Sequence, residues 1–177
     1  MLPSIILIGP MGAGKSSIGR RLAGMLDLPF LDTDQVIQDR SGVDIDFIFE
    51  KEGEAGFRRR EEAVFADLLD GDAAVIATGG GVILGSANRA RMKSHGAVVF
   101  LETSVEWQLA RTRRGRHRPL LATDDPRARL AEIYAEREPL YRDCATVTVN
   151  TDGRRVTAVA NAVFEALTLA GALEASA

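Results

Sequence analysis

Gly9-Pro10-Met11-Gly12-Ala13-Gly14-Lys15-Ser16 fits the pattern G-x-x-x-x-G-K-[ST], and its surroundings suit that pattern. The apolar run Ile5–Ile8 before it reads as a short buried strand, and Ile18, Leu22, Met25 and Leu26 after it share one face of a helix. A strand that turns through glycines into a helix gathers backbone N–H groups and the positive end of a helix dipole at one point, where an anion is favoured. The glycines allow a tight turn and a close approach to phosphates. Lys15 supplies a point charge for the β- and γ-phosphates, and the Ser16 hydroxyl is a ligand for Mg²⁺. The alternative is a chance glycine turn, but a random match in 177 residues is on the order of one in a hundred. A nucleoside triphosphate held by Gly12, Ala13, Gly14, Lys15, Ser16 and Ser17 is therefore expected.

Outward from this loop, short apolar runs alternate with helical patterns. The runs are Ile5–Ile8, Leu28–Leu31, Ala73–Ala77, Ala97–Leu101 and Thr146–Val149. Between Asp44 and Leu69, Phe57, Val64, Phe65 and Leu68 fall on one helical side. Near the C-terminus, Val156, Val159, Ala160, Val163, Phe164 and Leu167 do the same. This alternation predicts an α/β protein, a three-layer sandwich around a five-stranded parallel sheet. No repeat, low-complexity tract or linker divides the chain, so residues 1–177 are expected to form a single domain. The stretch from Arg114 to Pro126 is charged and aperiodic, and reads as a mobile loop or lid over about 112–125.

Composition narrows the partners. A net charge of −3 gives no global reason for nucleic-acid binding. No apolar stretch is long enough to span a bilayer, and the N-terminus lacks the basic flank of a secretory signal. One cysteine, Cys144, cannot close an internal disulfide and reads as a small buried residue, which suits a reducing, cytoplasmic setting. Nothing demands a protein partner, and a monomer is expected. Against the acidic balance, Arg111, Arg113, Arg114, Arg116, His117 and Arg118 follow one another with no acid between them. That cluster needs an anionic partner or good solvation. RNA is disfavoured because no aromatic side chain stands there to stack on bases.

Several residues bear on chemistry, each with a plainer alternative. Asp32 ends an apolar run and is the candidate second anchor for Mg²⁺; it also suits the N-cap of a helix beginning near Thr33, and the two roles are compatible. Asp34 falls where ligands bind in open α/β sheets and could accept a proton from a substrate hydroxyl, or simply favour the helix dipole. In Phe57-Arg58-Arg59-Arg60-Glu61, Arg59 and Arg60 read as solvated, while Arg58 can turn inward with Glu61 at i+3 to hold its guanidinium. Gly79-Gly80-Gly81 is a costly run in backbone entropy and favours close approach of a ligand over a hinge. Arg137, in a run Arg137-Glu138-Pro139-Leu140-Tyr141 that reads as the end of a helix, could cap carbonyls or enter a cleft.

Taken together these pieces resemble the shikimate kinase family, within the P-loop small-molecule kinases of nucleoside-monophosphate-kinase-like fold. The likeness covers nearly the whole chain, in order: GPMGAGKS at 9–16, DTD at 32–34, IF at 48–49, GE at 53–54, FR at 57–58, GGG at 79–81, RPLL at 118–121 and R-x-P-L-Y at 137–141. The resemblance implies transfer of the γ-phosphoryl group of ATP to the 3-hydroxyl of shikimate, with Mg²⁺ as cofactor. It implies that Ser16 and Asp32 serve the metal. Lys15, Asp34 and Arg118 would be catalytic, and Arg111, Arg118 and Arg154 would join the loop residues in binding ATP. Asp34, Arg58, Gly79, Gly80, Gly81 and Arg137 would bind shikimate, partly within a helical segment at about 33–61. Asp44 departs from the small hydroxyl residue often found there, and the region Asn150–Arg154 matches loosely. Two rivals remain at this point: a kinase for another hydroxy-acid such as gluconate, and a non-catalytic ATP-binding regulator. The retained Lys15, Asp32, Asp34 and Arg118 count against the second, and paired arginines favour a carboxylate-bearing acceptor.

Overall fold

A computed structural model describes residues 3–113 and 121–173. Five strands form one parallel sheet in the order β2-β3-β1-β4-β5, with β1 Ser4–Ile8, β2 Phe30–Asp32, β3 Val75–Ala77, β4 Gly96–Glu102 and β5 Val147–Asn150. Seven helices accompany them among the described residues: α1 Lys15–Leu26, α2 Thr33–Ser41, α3 Ile45–Leu69, α4 Ser86–His95, α5 Val105–Thr112, α6 Pro126–Cys144 and α7 Val156–Leu169.

The central strand shows why the apolar runs are continuous rather than alternating. Ile5 and Leu7 face α1 and α7, packing with Ile18, Leu22, Val159 and Val163. Ile6 and Ile8 face the other way, toward Phe65 of α3, Met92 of α4 and Tyr141 of α6. Both faces are covered, so every residue of β1 is buried. Each such aliphatic burial stabilises by roughly 1.5–3 kcal/mol. A third cluster, Ile37, Ile48, Phe57 and Val64, joins α2 to α3 and carries the acceptor side of the site.

Helix ends follow local chemistry. Asp32 caps α2, accepting from the N–H groups of Asp34 and Gln35, and Asp44 caps α3 through Phe47 N–H at 2.8 Å. A carboxylate at position 44 thus does what a hydroxyl would do there. Helix α3 is broken at Gly53 (φ 68, ψ −176), a conformation that disfavours any residue with a Cβ, so a second helix opens with Glu54 and carries Arg58. Arg60 braces this break through two hydrogen bonds to Glu52, at 2.6 and 3.0 Å.

The run from Arg137 to Tyr141 does not end its helix, contrary to the sequence reading. Helix α6 continues through Pro139 to Cys144. Burial of Tyr141 and Cys144 against the sheet outweighs the proline's disruption. Burial also raises the Cys144 thiol above its usual range, in keeping with a core residue. Among the described residues no helix is long and apolar enough to cross a membrane.

Candidate active site

All strands are parallel, so their C-terminal ends share one edge, and β1 lies where the chain order reverses between β3 and β4. At that edge a cleft of about 270 Å³ opens, lined by the glycine loop and the start of α1 (Met11, Gly12, Gly14–Ser17), by Asp32 and Asp34, by Thr78–Gly80 and by Arg111.

The glycine loop forms the donor side. Gly14 lies in the left-handed region (φ 86) at the N-cap of α1 and offers no side-chain cap, unlike the Asp or Ser residues that cap α2, α3, α5 and α6. Among the described residues no side chain caps that terminus, which leaves it open to an anion. Lys15 Nζ donates to the carbonyls of Gly9 and Pro10 at 2.8 and 2.9 Å, which keeps its charge inside the loop. Ala13 is buried, and Ser17 is exposed at the cleft.

Ser16 Oγ donates to Asp32 Oδ2 at 2.6 Å, while Asp32 Oδ1 caps α2. Of the two roles considered for Asp32 the N-cap is present, through Oδ1, and Oδ2 is turned to the phosphate loop. A hydroxyl and a carboxylate oxygen meeting beside the phosphate loop are hard donors of the kind Mg²⁺ takes, so the residues present fit that ion. Among the described residues no cluster of three or more His, Cys, Asp or Glu could hold a metal. The pair would instead supply a small share of a coordination shell completed by phosphates and water.

The acceptor side surrounds the three glycines. Thr78 Oγ1 donates to Leu7 O at 2.8 Å, and Gly79 N–H donates to Thr33 Oγ1 at 3.2 Å, tying the segment to β1 and α2. A Cβ at Gly79 would fall 2.8 Å from Glu61 Oε2 and 3.1 Å from Asp34 Oδ1. One at Gly81 would fall 2.2 Å from Arg58 Nη2. The glycines thus let charged side chains of α2 and α3 press against the loop.

Arg58 Nη1 donates to Glu61 Oε1 at 2.7 Å, and Glu61 is 1% exposed. Burial raises the Glu61 carboxyl above its usual range; Arg58 and Arg137 pull it down, and Asp34 adds to the rise. Arg137 is buried, with its Nε left without a hydrogen-bond partner among the described residues, and Nη1 lies 3.6 Å from where a Gly80 Cβ would stand. Two arginines and two carboxylates thus gather around Gly79–Gly81, of which Gly79 and Gly80 line the cleft together with Asp34, and an unsatisfied guanidinium nitrogen is a ready donor for an anion.

The nucleotide edge is organised by Arg111. Nη1 donates to Gly12 O at 2.9 Å and to Thr151 Oγ1 at 3.1 Å, Nη2 donates to Thr151 O at 3.0 Å, and the guanidinium lies over the Trp107 ring. Arg154 is exposed, bonds Asn150 O and Ala158 O, and does not line the cleft. Arg118, with Arg114, Arg116 and His117 of the expected lid, lies outside the described residues.

Sequence reading placed Glu61 only as a support for Arg58 and gave Tyr141 no role. The structure packs Glu61 between Arg58 and Gly79 and places the Tyr141 hydroxyl 2.5 Å from Gly80 O. The i+3 spacing signalled the first; no local pattern signalled the second.

Comparison with known proteins agrees with this geometry. A family model described as shikimate kinase matches residues 11–168. A shikimate kinase of Vibrio parahaemolyticus is 51% identical over 164 residues, covering 93% of this chain and 95% of that protein. The solved structure of a shikimate kinase from Acinetobacter baumannii in complex with shikimate superposes with a TM-score of 0.93 at 45% identity, covering 98% of this chain and 97% of the other. A gluconokinase from Sinorhizobium meliloti matches with a TM-score of 0.58 at 18% identity over 96% of this chain and 94% of the other, which speaks to the fold alone. On a family model spanning most of its length and a relative about half identical over nearly all of it, the chain belongs to the shikimate kinase family.

Proposed function

We propose that the chain is an ATP-dependent kinase that transfers the γ-phosphoryl group of ATP to the 3-hydroxyl of shikimate, releasing ADP and 3-phosphoshikimate. The observation that carries this reading is the half-buried Arg58 and the buried Arg137, set with Asp34 and Glu61 around Gly79–Gly81 beside the phosphate loop. Two guanidinium groups at one carboxylate orient an acid-bearing ring, and orientation is most of what phosphoryl transfer asks of a protein.

In this reading residues 1–177 act as one domain, with the acceptor segment at about 33–61 and the lid at about 112–125. Gly12, Ala13, Gly14, Lys15, Ser16 and Ser17 hold the phosphates, Arg111 borders the nucleotide, and Arg118 closes from the lid. Arg58 and Arg137 bind the shikimate carboxylate, and Gly79, Gly80 and Gly81 lie against the ring. Asp34 accepts the proton of the attacking hydroxyl as its oxygen forms a bond to the γ-phosphorus and ADP departs. Lys15 stabilises the charge that develops on the transferring group. Ser16 and Asp32 would hold Mg²⁺, which when bound would neutralise charge on the phosphates.

The test is ADP release with ATP and Mg²⁺ in the presence and absence of shikimate. Strong stimulation is expected. Stimulation by gluconate but not by shikimate would discard the acceptor while leaving the nucleotide site intact.

A further inference from the structure

Tyr141 stands in none of the roles above. On α6 it follows Arg137 by four residues, so the two share a face. Its ring is fully buried and stacked on Phe100 of β4, with centroids 5.1 Å apart and planes 24° from parallel. Phenylalanine would pack as well in that position. A buried hydroxyl is unfavourable unless it is bonded, and this one donates to Gly80 O at 2.5 Å.

Gly80 is the middle of three residues with no side chain of their own to anchor them. The Gly80–Gly81 peptide is flanked by the Tyr141 hydroxyl, bonded to its carbonyl, and by the Arg58 guanidinium, packed against Gly81. The peptide is trans and planar, so fixing the Gly80 carbonyl also fixes the direction of the Gly81 N–H. Arg137 acts electrostatically on the same phenol oxygen. Burial raises the phenol well above its usual range, so the group remains a donor at all working pH values.

We infer that Tyr141 is a positioning residue for the acceptor, its hydroxyl setting the Gly80–Gly81 peptide and the neighbouring Arg137 in the arrangement that receives the substrate carboxylate. The inference rests on the acceptor assignment proposed above.

Tyr141→Phe removes one oxygen and keeps the ring. With it, the KM and Kd for shikimate are expected to rise about fivefold to tenfold, with the KM for ATP within about twofold of the unaltered protein. Phe100→Leu is the comparator: it loses the stacking partner but keeps the phenol, so Tm falls while shikimate KM stays. Unchanged shikimate binding in Tyr141→Phe overturns the inference. Parallel rises in both KM values, or an equal rise in Phe100→Leu, overturn it too, because the effect is then general loosening. Backbone NMR order parameters for Gly80 and Gly81 in the unaltered protein give a second readout. Rigidity before shikimate is added is expected; mobility quenched only by shikimate counts against Tyr141. Absence of shikimate-dependent turnover in the unaltered protein would instead fail the acceptor assignment, with the order parameters still testing the loop.

Discussion

Replacing Gly81 by alanine isolates the acceptor pocket with one methyl group. Gly81 has φ −94 and ψ 0, open to any L-residue, so the backbone is not strained. The new Cβ would meet Arg58 Nη2 at 2.2 Å and Cζ and Nη1 at 2.4 Å. Reaching an ordinary 3.4 Å contact from 2.2 Å requires a retreat of about 1.2 Å. A retreat of that size takes the 2.7 Å bond to Glu61 out of hydrogen-bond range. A charge-assisted bond of this kind contributes roughly 1.5–3 kcal/mol, lessened here because Arg58 is 22% exposed. Gly→Ala returns roughly 0.4–1 kcal/mol through the unfolded chain. The net loss of stability is then about 1–2 kcal/mol, and the protein folds. Acceptor binding suffers more: a displaced guanidinium costs about 2 kcal/mol or more, roughly thirtyfold in shikimate KM. The assay is coupled ADP release with shikimate varied at saturating MgATP, then the reverse. The same measurements on Arg58→Ala and on the double variant complete a cycle, in which Gly81→Ala should add almost nothing once Arg58 is gone. Fully additive effects, or an unchanged shikimate KM in Gly81→Ala, would refute the reasoning.

Other outcomes follow from the same geometry. Asp34→Asn should lose most turnover while ATP affinity, measured by calorimetry, stays intact, because the glycine loop is untouched; near-normal kcat would remove Asp34 as the base. Asp32→Asn keeps a good N-cap for α2 but weakens the metal side, so the Mg²⁺ concentration for half-maximal rate should rise with little change in Tm. Glu61 binds its proton more tightly folded than unfolded, so its contribution makes stability fall as pH rises from about 4.5 through its folded pKa. Denaturant unfolding across that window should show Glu61→Gln gaining on the unaltered protein as pH rises, and a constant difference would discount the burial of that charge.

The donor half of the site was legible because its parts lie close together in the chain. Gly9–Ser16 carries its own strand, turn and helix, and Asp32 and Asp34 follow the next apolar run. Strand ends were less legible, because ties outside the sheet decide them. Leu28 N–H bonds back to Ala23 O of α1, so β2 starts only at Phe30, and Ala74 N–H goes to the Ser4 hydroxyl, so β3 starts at Val75. The run Arg137–Tyr141 reads locally as a helix end, and proline is disruptive there, whereas the burial that carries α6 on to Cys144 belongs to the sheet. The triglycine was read as room for a ligand. The room is also taken by Arg58 and Glu61, a fact of packing between segments some twenty residues apart. The Tyr141 bond to Gly80 spans 61 residues and leaves no local trace.

Asp32 joins two places with one carboxylate: Oδ2 receives the hydroxyl at the phosphate loop, and Oδ1 fixes the helix on which Asp34 stands. The gap between phosphoryl donor and acceptor is therefore gauged by a two-residue length of chain, not by how well distant layers happen to pack. Substitutions that loosen the core around α7 can erode thermal resistance over evolutionary time and still leave that gauge unaltered. The reaction distance is inherited separately from the durability of the scaffold.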